Sequence, residues 1–584
     1  MFKSCKNCQQ NFEITDEDLK FYEKVSPEFK TTEGLSLQLK IPPPTLCPEC
    51  REQRRMTFRN ERSLYMRACD LCGKKTISMF SPVNQYKVYC HLCWWSDKWD
   101  AMIYGLEYDL NESFLKQFSQ LIFKIPQIAI LNVNCENSDY VNIEYCDKNC
   151  YMVYAGGWTQ DSYYGYYILR SKNCLDCTNV NYCELCYELV DSVNCYECKF
   201  SINLENCLNC QFSCDLISCK NCFACYNLRG KEYCFFNEQL QKDLYKEKIK
   251  KFISENSLTL QKQIFFDEVF KKVIKKYAYI LNSEHCNGDY IKNSKNCSNC
   301  YDINKCEDIK NVSIAENLKD SMDCYISGYP SELCYETMSS CVNTFHNIFS
   351  NFCWEGSRDL IYCDHCFSCE NCFGCCGLRH KQYCILNKQY TKEEYEKLVP
   401  KIIEAMKSPK SPLTRGLGHP LDKGGLGDCD WGEFFPSSIS PFGYNETVAQ
   451  EYFPLTKEQA LSKGFKWSDY ELEFPHVEKT IPANLLPEII SEIPDDILNW
   501  AIQCEVTGKP FKIIKPELDF YRKMNLSIPR RHPDQRHKDR MALRNPRKLW
   551  KRNCIKCNAE IQTTYVLEKP EMVYCEDCYL KSVY

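Results

Sequence analysis

The sequence lacks any long hydrophobic run, and this absence narrows its class. No window approaches the ~18 uninterrupted apolar residues that a membrane-spanning helix needs. The stretch from Met1 to Cys5 contains no apolar core of the kind that a secretory signal has. We therefore expect a cytoplasmic protein with no membrane partner.

Motifs of common enzymes are also missing. There is no HExxH, GxSxG or GxGxxG motif in a strand–helix setting, and the nine histidines are scattered. The nearest phosphate-loop candidate, Gly508-Lys509, is followed by Pro510 and lacks the leading glycine. The net charge of −5 gives no global reason for a nucleic-acid partner. The sequence thus predicts a non-enzymatic protein and suggests no small-molecule substrate.

Cysteine is what the sequence has in excess, with 45 among 584 residues. In a short secreted chain this content would indicate a disulfide framework. In a reducing cytoplasm, clustered thiols are more often metal ligands. Cysteines at metal-binding spacings are therefore candidate metal ligands in this chain.

The two ends of the chain are related by duplication. A shift of 485 residues places Arg55-Met56-x2-Arg59-Asn60 on Arg540-Met541-x2-Arg544-Asn545. The same shift superimposes two sets of paired CxxC motifs whose pairs are seventeen residues apart, which is typical of four-cysteine zinc sites. These sets are Cys69, Cys72, Cys90 and Cys93, and Cys554, Cys557, Cys575 and Cys578.

A further four-cysteine site is predicted at the N-terminal end from Cys5, Cys8, Cys47 and Cys50. Its C-terminal counterpart is degenerate, because Cys504 is kept while Thr507, His532 and Gln535 replace the other three ligands. We expect packing alone to hold that copy, although His537 could add a ligand. The prediction is about three Zn²⁺ per chain, each closed by four thiolates and therefore structural rather than catalytic.

The first fifty residues resemble the probable zinc-ribbon domain family. The resemblance rests on Cys5-x2-Cys8, Phe12, Phe21-Tyr22 and Cys47-Pro48-x-Cys50-Arg51. It implies a structural zinc and no activity. Nearly the whole chain also resembles uncharacterised cysteine-rich zinc-ribbon proteins of candidate-phyla bacteria, notably in RRHPDQRHKDRMALRNPRKLW and CFGCCGLRHKQYC. That second resemblance implies architecture and no function.

The central region is a second duplication, with Ser218–Tyr245 repeated 150 residues later as Ser368–Tyr395. In the first copy, units that begin with CxxC recur every twelve residues, and Asn or Asp follows an apolar position in each unit. This pattern predicts a β-solenoid with twelve or twenty-four residues per coil, whose cysteines stack inward as small apolar residues. Additional metal sites between coils and disulfides are the alternatives for these thiols. A polar helix is expected to cap each copy.

The predicted fold is multidomain and mainly β with some α. Duplicated zinc-ribbon or treble-clef-like modules flank two tandem β-solenoid-like repeats with helical connectors. The boundaries are 1–115 for the N-terminal double zinc module, 130–237 for the first repeat, 238–282 for a helical connector, 283–388 for the second repeat, 389–440 for a helix and Gly/Pro linker, 441–500 for a small helical segment and 501–584 for the C-terminal zinc module.

Arginine-rich stretches next to the zinc motifs are the best local clue to function. The stretch from Arg51 to Cys69 has six arginines against two glutamates, and that from Arg530 to Arg552 has ten cations against two aspartates. Guanidinium groups bind phosphates in a bidentate manner, so these stretches favour binding of nucleic acid, RNA in particular. The candidate residues are Arg51, Arg54, Arg55, Arg59, Arg62, Arg536, Arg540, Arg544, Arg547 and Lys551.

Two other functions remain open at this point. One is a scaffold for a protein complex built on the solenoid, because solenoids present long, rigid surfaces. The other is a carbohydrate-active β-helix enzyme, which the sequence supports less well.

Overall fold

The computed structural model describes residues 1–30, 34–407, 431–471, 474 and 477–584. Most of the predicted Gly/Pro linker, 408–430, lies outside these residues. The described chain forms two compact, strand-rich units, so the multidomain, mainly β prediction is confirmed at this level. Unit 1 comprises Met1–Ile130, Ala278–Tyr470 and Arg547–Leu549. Unit 2 comprises Leu131–Tyr277, Glu471–Pro546 and Trp550–Tyr584.

Each unit therefore combines one end of the chain with a central repeat that is distant in sequence. We call residues 131–239 the first array and residues 280–389 the second array. Unit 1 holds the N-terminal module and the second array, and unit 2 holds the first array and the C-terminal module. In the part of the chain that the structure describes, no helix has the length and apolar character to cross a membrane.

The N-terminal module consists of short hairpins and helices. Its strands are Phe2–Ser4, Asn11–Glu13, Glu28–Lys30, Ser36–Gln38, Tyr65–Ala68, Lys75–Ser78, Val88–Tyr89 and Gln127–Ile128. Its helices are Asp16–Val25, Pro48–Met56, His91–Trp94, the 3-10 turn Ala101–Tyr104, and Phe114–Lys124. Thr15 begins the first helix with a capping box, because its side chain accepts from the Asp18 amide while Asp18 accepts from the Thr15 amide.

The first array is made of short parallel strands in which each residue pairs with the residue twelve positions later. Cys210 pairs with Cys222, and Cys222 pairs with Cys234. Its strands are Asn132–Val133, Glu144–Tyr145, Tyr166–Leu169, Thr178–Asn181, Tyr187–Val193, Lys199–Glu205, Leu208–Gln211, Cys214–Ile217, Lys220–Phe223, Tyr226–Arg229, Glu232–Phe235 and Glu238–Gln239. The shift between paired residues of neighbouring strands is therefore twelve residues and not twenty-four.

A three-residue pattern lies within this twelve-residue repeat. Backbone φ is positive at every third residue from Asn134 to Asn227. The residue that follows each of these is buried throughout Cys174–Cys225. Asn and Asp tolerate the left-handed conformation better than other non-glycine residues, which explains their recurrence in the sequence. Their side chains also bond between neighbouring repeats, as Asn194 Nδ2 does to Asn206 Oδ1 at 3.0 Å.

The buried residue of each triplet explains why the array is rich in serine and cysteine. At several of these positions, the amide of the buried residue donates to the side chain of the residue twelve positions earlier. The Cys183 amide donates to Ser171 Oγ at 3.0 Å, and the Cys210 amide donates to Cys198 Sγ at 3.4 Å. The same Ser171 hydroxyl donates to the Leu169 carbonyl at 2.8 Å. A small side chain that both donates and accepts therefore satisfies buried backbone groups here.

The second array repeats this pairing with small irregularities. Residues pair eleven apart at its first strand, as Ile280 does with Ile291. They pair twelve apart in the strands that follow and again at the end, as Cys300 does with Gly288, but thirteen apart in the middle, as Tyr335 does with Met322. Its strands are Ile280–Leu281, Gly288–Lys292, Lys295–Ser298, Cys300–Asn304, Glu307–Lys310, Ser313–Glu332, Tyr335–Met338, Thr344–Phe345, Arg358–Ile361, Glu370–Phe373, Gln382–Ile385 and Lys388–Gln389.

Both arrays end in the same way. A short antiparallel strand, Glu238–Gln239 or Lys388–Gln389, folds back on the last parallel strand. A helix follows, Lys242–Glu255 in one copy and Lys392–Lys407 in the other. After the first of these helices come Leu258–Ile264, the π-helix Phe265–Val269, the 3-10 turn Phe270–Lys272 and the strand Ile274–Lys276. An antiparallel strand and a helix at the end of a parallel sheet limit its extension by another chain.

The remaining elements belong to the C-terminal third of the chain. The α-helices are Val448–Tyr452, Lys457–Ser462, Lys515–Met524, Pro533–Met541 and Glu576–Val583. The 3-10 turns are Ser437–Ile439, Tyr444–Glu446, Ala483–Leu485, Ile490–Glu492 and Asp495–Asn499. The strands are Lys479–Pro482, Trp500–Gln503, Pro510–Phe511, Trp550–Asn553, Glu560–Thr563 and Met572–Tyr574.

Candidate metal centres

Each predicted zinc site begins with the same tight turn. The Cys69 amide donates to the Lys74 carbonyl and the Gly73 amide donates to the Cys69 carbonyl, both at 2.9 Å. Gly73 has a φ of 71°, which glycine adopts without strain. The turns that start at Cys5 and Cys554 have the same two hydrogen bonds. This turn brings the two sulfurs of a CxxC pair to one side of a common centre.

The second pair of each site lies at the N-terminus of a helix. Cys47, Cys90 and Cys575 are the N-cap residues of Pro48–Met56, His91–Trp94 and Glu576–Val583. Free amides at a helix start favour a thiolate over a thiol. The Cys47 amide donates to Cys5 Sγ at 3.3 Å, and the Cys90 amide donates to Cys69 Sγ at 3.2 Å.

The four sulfurs of each site lie close enough to share one ion. In all three groups, every sulfur is within 4.8 Å of the other three. The closest contacts are 3.7 Å for Cys8–Cys47, 4.0 Å for Cys72–Cys90 and 3.6 Å for Cys557–Cys575. Four thiolates ~2.3 Å from a tetrahedral ion lie ~3.8 Å apart, whereas bonded sulfurs lie ~2.05 Å apart. These groups are thus geometrically able to bind a metal ion and are not disulfides.

The electrostatic surroundings favour ionisation of one thiol in each group. Burial alone would raise the pKa of Cys69, but amides of Cys90, Cys72 and Leu71 lower it to about 7. Burial acts in the same direction on Cys554, and backbone amides led by that of Cys575 lower its pKa to about 6. A hydrogen bond from Cys50 lowers the pKa of Cys47 to about 5. In each group a metal ion thus meets one ligand that gives up its proton readily, whereas burial raises the pKa of other thiols such as Cys93 and Cys578.

The degenerate fourth copy keeps the turn and the helix but not the ligands. The Cys504 amide donates to the Lys509 carbonyl at 3.0 Å, and Gly508 has a φ of 67°. His532 caps the helix Pro533–Met541 by accepting from the Asp534 amide through Nδ1. Neither residue belongs to a metal-binding group among the residues that the structure describes. This copy therefore keeps the local backbone structure of the other sites but not their four metal ligands.

The arginines between the N-terminal sites contact the second array instead of solvent. Arg51 donates to Asp323 through Nε and Nη2, at 3.0 and 2.7 Å. Arg54 bonds both oxygens of Glu336 and also pairs with Glu433 at 2.8 Å. These acids lower the free energy of the buried guanidinium groups, which would otherwise be costly.

The duplicated arginines of the C-terminal module make the equivalent contacts with the first array. Arg536 and Arg540, the counterparts of Arg51 and Arg55, both pair with the buried Asp176. Arg544 pairs with Asp191 at 2.9 Å. In each unit the arginine helix therefore fixes the terminal module to the flank of an array.

These contacts bear on the predicted nucleic-acid surface. Nine of the ten candidate residues have side chains no more than 13% exposed. They are Arg51, Arg54, Arg55, Arg59, Arg62, Arg536, Arg540, Arg544 and Arg547. Only Lys551 is well exposed, at 73%. These nine arginines are paired with acids or packed on rings inside their own unit, so the ten residues do not form one exposed basic surface, and nucleic-acid binding by them stays a prediction.

The acids of the arrays are the residues that sequence reasoning missed. Asp176 and Asp323 both occupy left-handed positions, with φ of 54° and 56°. Asn and Asp recur in the repeat at positions typical of turns, so the sequence pattern does not mark any of them as the partner of a buried arginine. A signal was nevertheless present, because the arginines recur together in both modules and therefore need the same kind of partner twice. A comparison of the sequence with known protein families finds no match, and one with curated proteins also finds none.

Proposed function

We propose that this protein is a non-catalytic scaffold in which zinc-stabilised modules are fixed to two β-solenoids, and that the first solenoid binds a protein partner. The observation that carries the proposal is a row of exposed aromatic residues and one arginine on the first array. We call Tyr145, Trp158, Arg170 and Tyr182 the aromatic row.

Zinc is the ion that the three metal centres suit best. Each offers four soft thiolates at tetrahedral spacing, which is the usual structural zinc set, and hard ions such as Ca²⁺ and Mg²⁺ prefer oxygen. Four protein ligands leave no open position for a substrate or an activated water. The proposal therefore assigns these centres a role in stability.

The pairing of the arrays supports a solenoid with twelve residues per coil. In the first array, strands pair in parallel with a constant shift of twelve residues, and one residue in three points into a common core of cysteine, leucine and valine side chains. A solenoid with its own core presents a rigid lateral surface, which is what a docking scaffold requires.

The aromatic row has the composition of a protein-binding surface. Trp158 is 43% exposed and Tyr182 is 54% exposed. Arg170 lies between them, with its guanidinium carbon 4.9 Å from one ring centroid and 5.6 Å from the other. Trp, Tyr and Arg are the residues that most often dominate protein interfaces. The three residues are twelve positions apart, so successive coils present them side by side.

Nucleic acid remains a candidate partner from sequence alone, but its main support is weakened. The guanidinium groups that suggested it are engaged with Asp176, Asp323 and Glu336. Phosphate binding by a buried arginine would require one of these ion pairs to break. We therefore rank a protein partner first.

The test compares the two partners directly. The full-length protein carries a photo-crosslinker at position 158 or at Leu208, a 37% exposed position of the same array. We expect a defined protein product from position 158 only, and its loss on Tyr182→Ala. Binding to labelled RNA should be weak at physiological salt. RNA binding that falls steeply with salt, without a protein product, would support the nucleic-acid alternative instead.

A further inference from the structure

The first array contains more sulfur than its fold requires. Eight of its buried triplet residues form two neighbouring columns that both carry cysteine over four repeats, and the second of these columns continues with Cys174 at one end and Cys234 at the other. We call these eight the thiol ladder: Cys183, Cys186, Cys195, Cys198, Cys207, Cys210, Cys219 and Cys222. All eight are free and at most 2% exposed.

Serine performs the structural task of these positions equally well. Ser201 occupies a buried triplet position, accepts from the Ser213 amide at 3.0 Å and donates to the Lys199 carbonyl at 2.8 Å. Leu204 and Leu216 show that aliphatic side chains fit there too. The other two columns of the array use such residues freely. Packing and hydrogen bonding alone do not explain why two columns keep sulfur for four repeats.

The ladder is continuous in space. The parallel register places Cys210 beside Cys222, one strand spacing of ~4.8 Å away. Within a repeat, Cys195 and Cys198 are three positions apart and belong to the two neighbouring columns, and the ladder thiols donate to backbone carbonyls, as Cys198 Sγ does to the Cys207 carbonyl at 3.6 Å. Each sulfur therefore has neighbours both within its repeat and in the next one.

The geometry of the ladder differs from that of the terminal centres. Among the described residues, no three ladder sulfurs lie mutually within 4.8 Å, as the ligands of the three terminal sites do. A tetrahedral ion such as Zn²⁺ therefore finds no ready cage. A soft ion that accepts two ligands needs only a pair of adjacent sulfurs, and thiolates favour soft ions such as Cu(I).

The net charge of the buried site favours a monovalent ion over a divalent ion. Each thiol that binds Cu⁺ exchanges its proton for the ion (RSH + Cu⁺ → RS–Cu + H⁺), so the buried column stays neutral. A site made of one divalent ion and two thiolates is neutral only if those thiolates bind no second ion. A site made of one divalent ion and four thiolates has a net charge of −2. Buried net charge is costly. Alternating sulfur and monovalent metal avoids this cost.

We propose that the thiol ladder of the first array binds Cu(I) in two-coordinate sites between neighbouring sulfurs, independently of the zinc centres and of any protein partner. One proton leaves for each ion that enters. The array would thus carry soft monovalent metal inside a solenoid, which is a binding function separate from the scaffold.

The experiment measures copper and zinc in the same full-length protein. Reduced, zinc-loaded protein is titrated without oxygen with the acetonitrile complex of Cu(I). A second sample is purified from cells grown with added copper, so that slow entry into a closed array is not mistaken for lack of affinity. We expect several Cu(I) ions per chain, one proton released per ion and no loss of zinc.

Matched variants locate the copper. Cys198→Ser with Cys210→Ser should lower uptake, whereas Cys135→Ser with Cys150→Ser should not. The latter pair lies in the same array, but the residues twelve positions later are Asp147 and Ser162. Equal uptake by both double variants, or copper that enters only as zinc leaves, would overturn the proposal. If the ladder variant does not fold, X-ray absorption of the copper-loaded wild type decides, because two sulfur neighbours are expected and three or four would contradict the ladder geometry.

Discussion

At the scale of the residue, a cysteine in this protein has one of two distinct environments. At the ends of the chain it sits in a turn or at a helix start with three other sulfurs. In the arrays it is buried in a core and donates to carbonyls, as Cys183 Sγ does to the Asn181 carbonyl at 3.5 Å. The same residue type is a proposed metal ligand in one place and a core residue in the other.

Replacement of one terminal ligand should remove one metal ion. Cys554→Ser leaves three thiolates and a hydroxyl, a poorer donor, so we expect zinc to fall from about three ions per chain to about two. Elemental analysis of purified protein measures this. Cys504→Ser is the matched control, because Cys504 has the same local turn without the other ligands, and its zinc content should equal that of the wild type. Loss of zinc from the control would mean that the degenerate copy also binds metal.

The buried arginines should contribute strongly to stability. Arg536→Gln leaves Asp176 and Glu517 buried with less compensation, and breaking such a buried pair costs about 3–5 kcal/mol in free energy of unfolding. Urea denaturation of unit 2, followed by tryptophan fluorescence, measures the change. The exposed Lys551→Gln should shift it by no more than ~0.5 kcal/mol. Similar, small effects of both substitutions would show that Arg536 is not essential to docking.

The metal ligands could be predicted from sequence, whereas the contact partners of the arginines could not. A CxxC pair is defined by local spacing, so its chemistry is visible in a few residues. Arg51 and Asp323 are 272 positions apart, and nothing local indicates that they meet. A run of arginines looks the same in sequence whether it faces phosphate or a buried carboxylate.

At the scale of the element, the left-handed residue in every triplet is the unusual feature of the arrays. Asn194, with a φ of 53°, is exposed, so its substitution tests the backbone with little effect on the core. Asn194→Val should cost about 1–2 kcal/mol, because a β-branched side chain disfavours this conformation. Asn194→Gly, which loses the same side-chain bond to Asn206, is the control and should cost less. Thermal unfolding compares the two variants, and a valine variant as stable as the glycine variant would argue against the left-handed backbone.

The sequence revealed the twelve-residue repeat but not the triplet inside it. CxxC units and recurrent Asn and Asp marked one position in each repeat. The other left-handed positions are occupied by residues such as Phe200, Phe212 and Tyr182, which do not normally indicate positive φ. The side chains at these positions suit the surfaces that they face. Their residue types therefore do not indicate the left-handed backbone conformation.

At the scale of the whole molecule, each terminal module packs on the array farther from it in sequence. The N-terminal module shares unit 1 with the second array, and the C-terminal module shares unit 2 with the first. The duplications revealed two related modules and two related arrays. They could not reveal which module joins which array, because both modules carry the same arginines and both arrays carry suitable acids.

Acid should release the metal. Cys47, Cys69 and Cys554 have pKa values of about 5, 7 and 6, below the ~8.5 of an unfolded thiol. Their thiolates therefore contribute fully at alkaline pH, and the contribution is lost as pH falls through these values. Protons compete with metal for the same sulfurs, so zinc that survives dialysis should decline in steps as pH falls from about 7 to below about 5 and should be unchanged between pH 8 and 9. Zinc retained fully at pH 3 would contradict this account.

Removal of metal should separate the stability of the modules from that of the arrays. The modules have little core around each site, and zinc-binding energy is folding energy in such small structures. The arrays have cores that contain no terminal ligand, such as that of Cys186, Leu189 and Leu204. After treatment with a chelator, we therefore expect trypsin to cut first at the module cations, such as Lys6 and Lys556, and to leave large array fragments. Zinc added back before the protease should restore resistance. If the arrays are digested as fast as the modules, the modules are required to keep the arrays folded, because array cores that were stable alone would resist the protease whether or not zinc is bound.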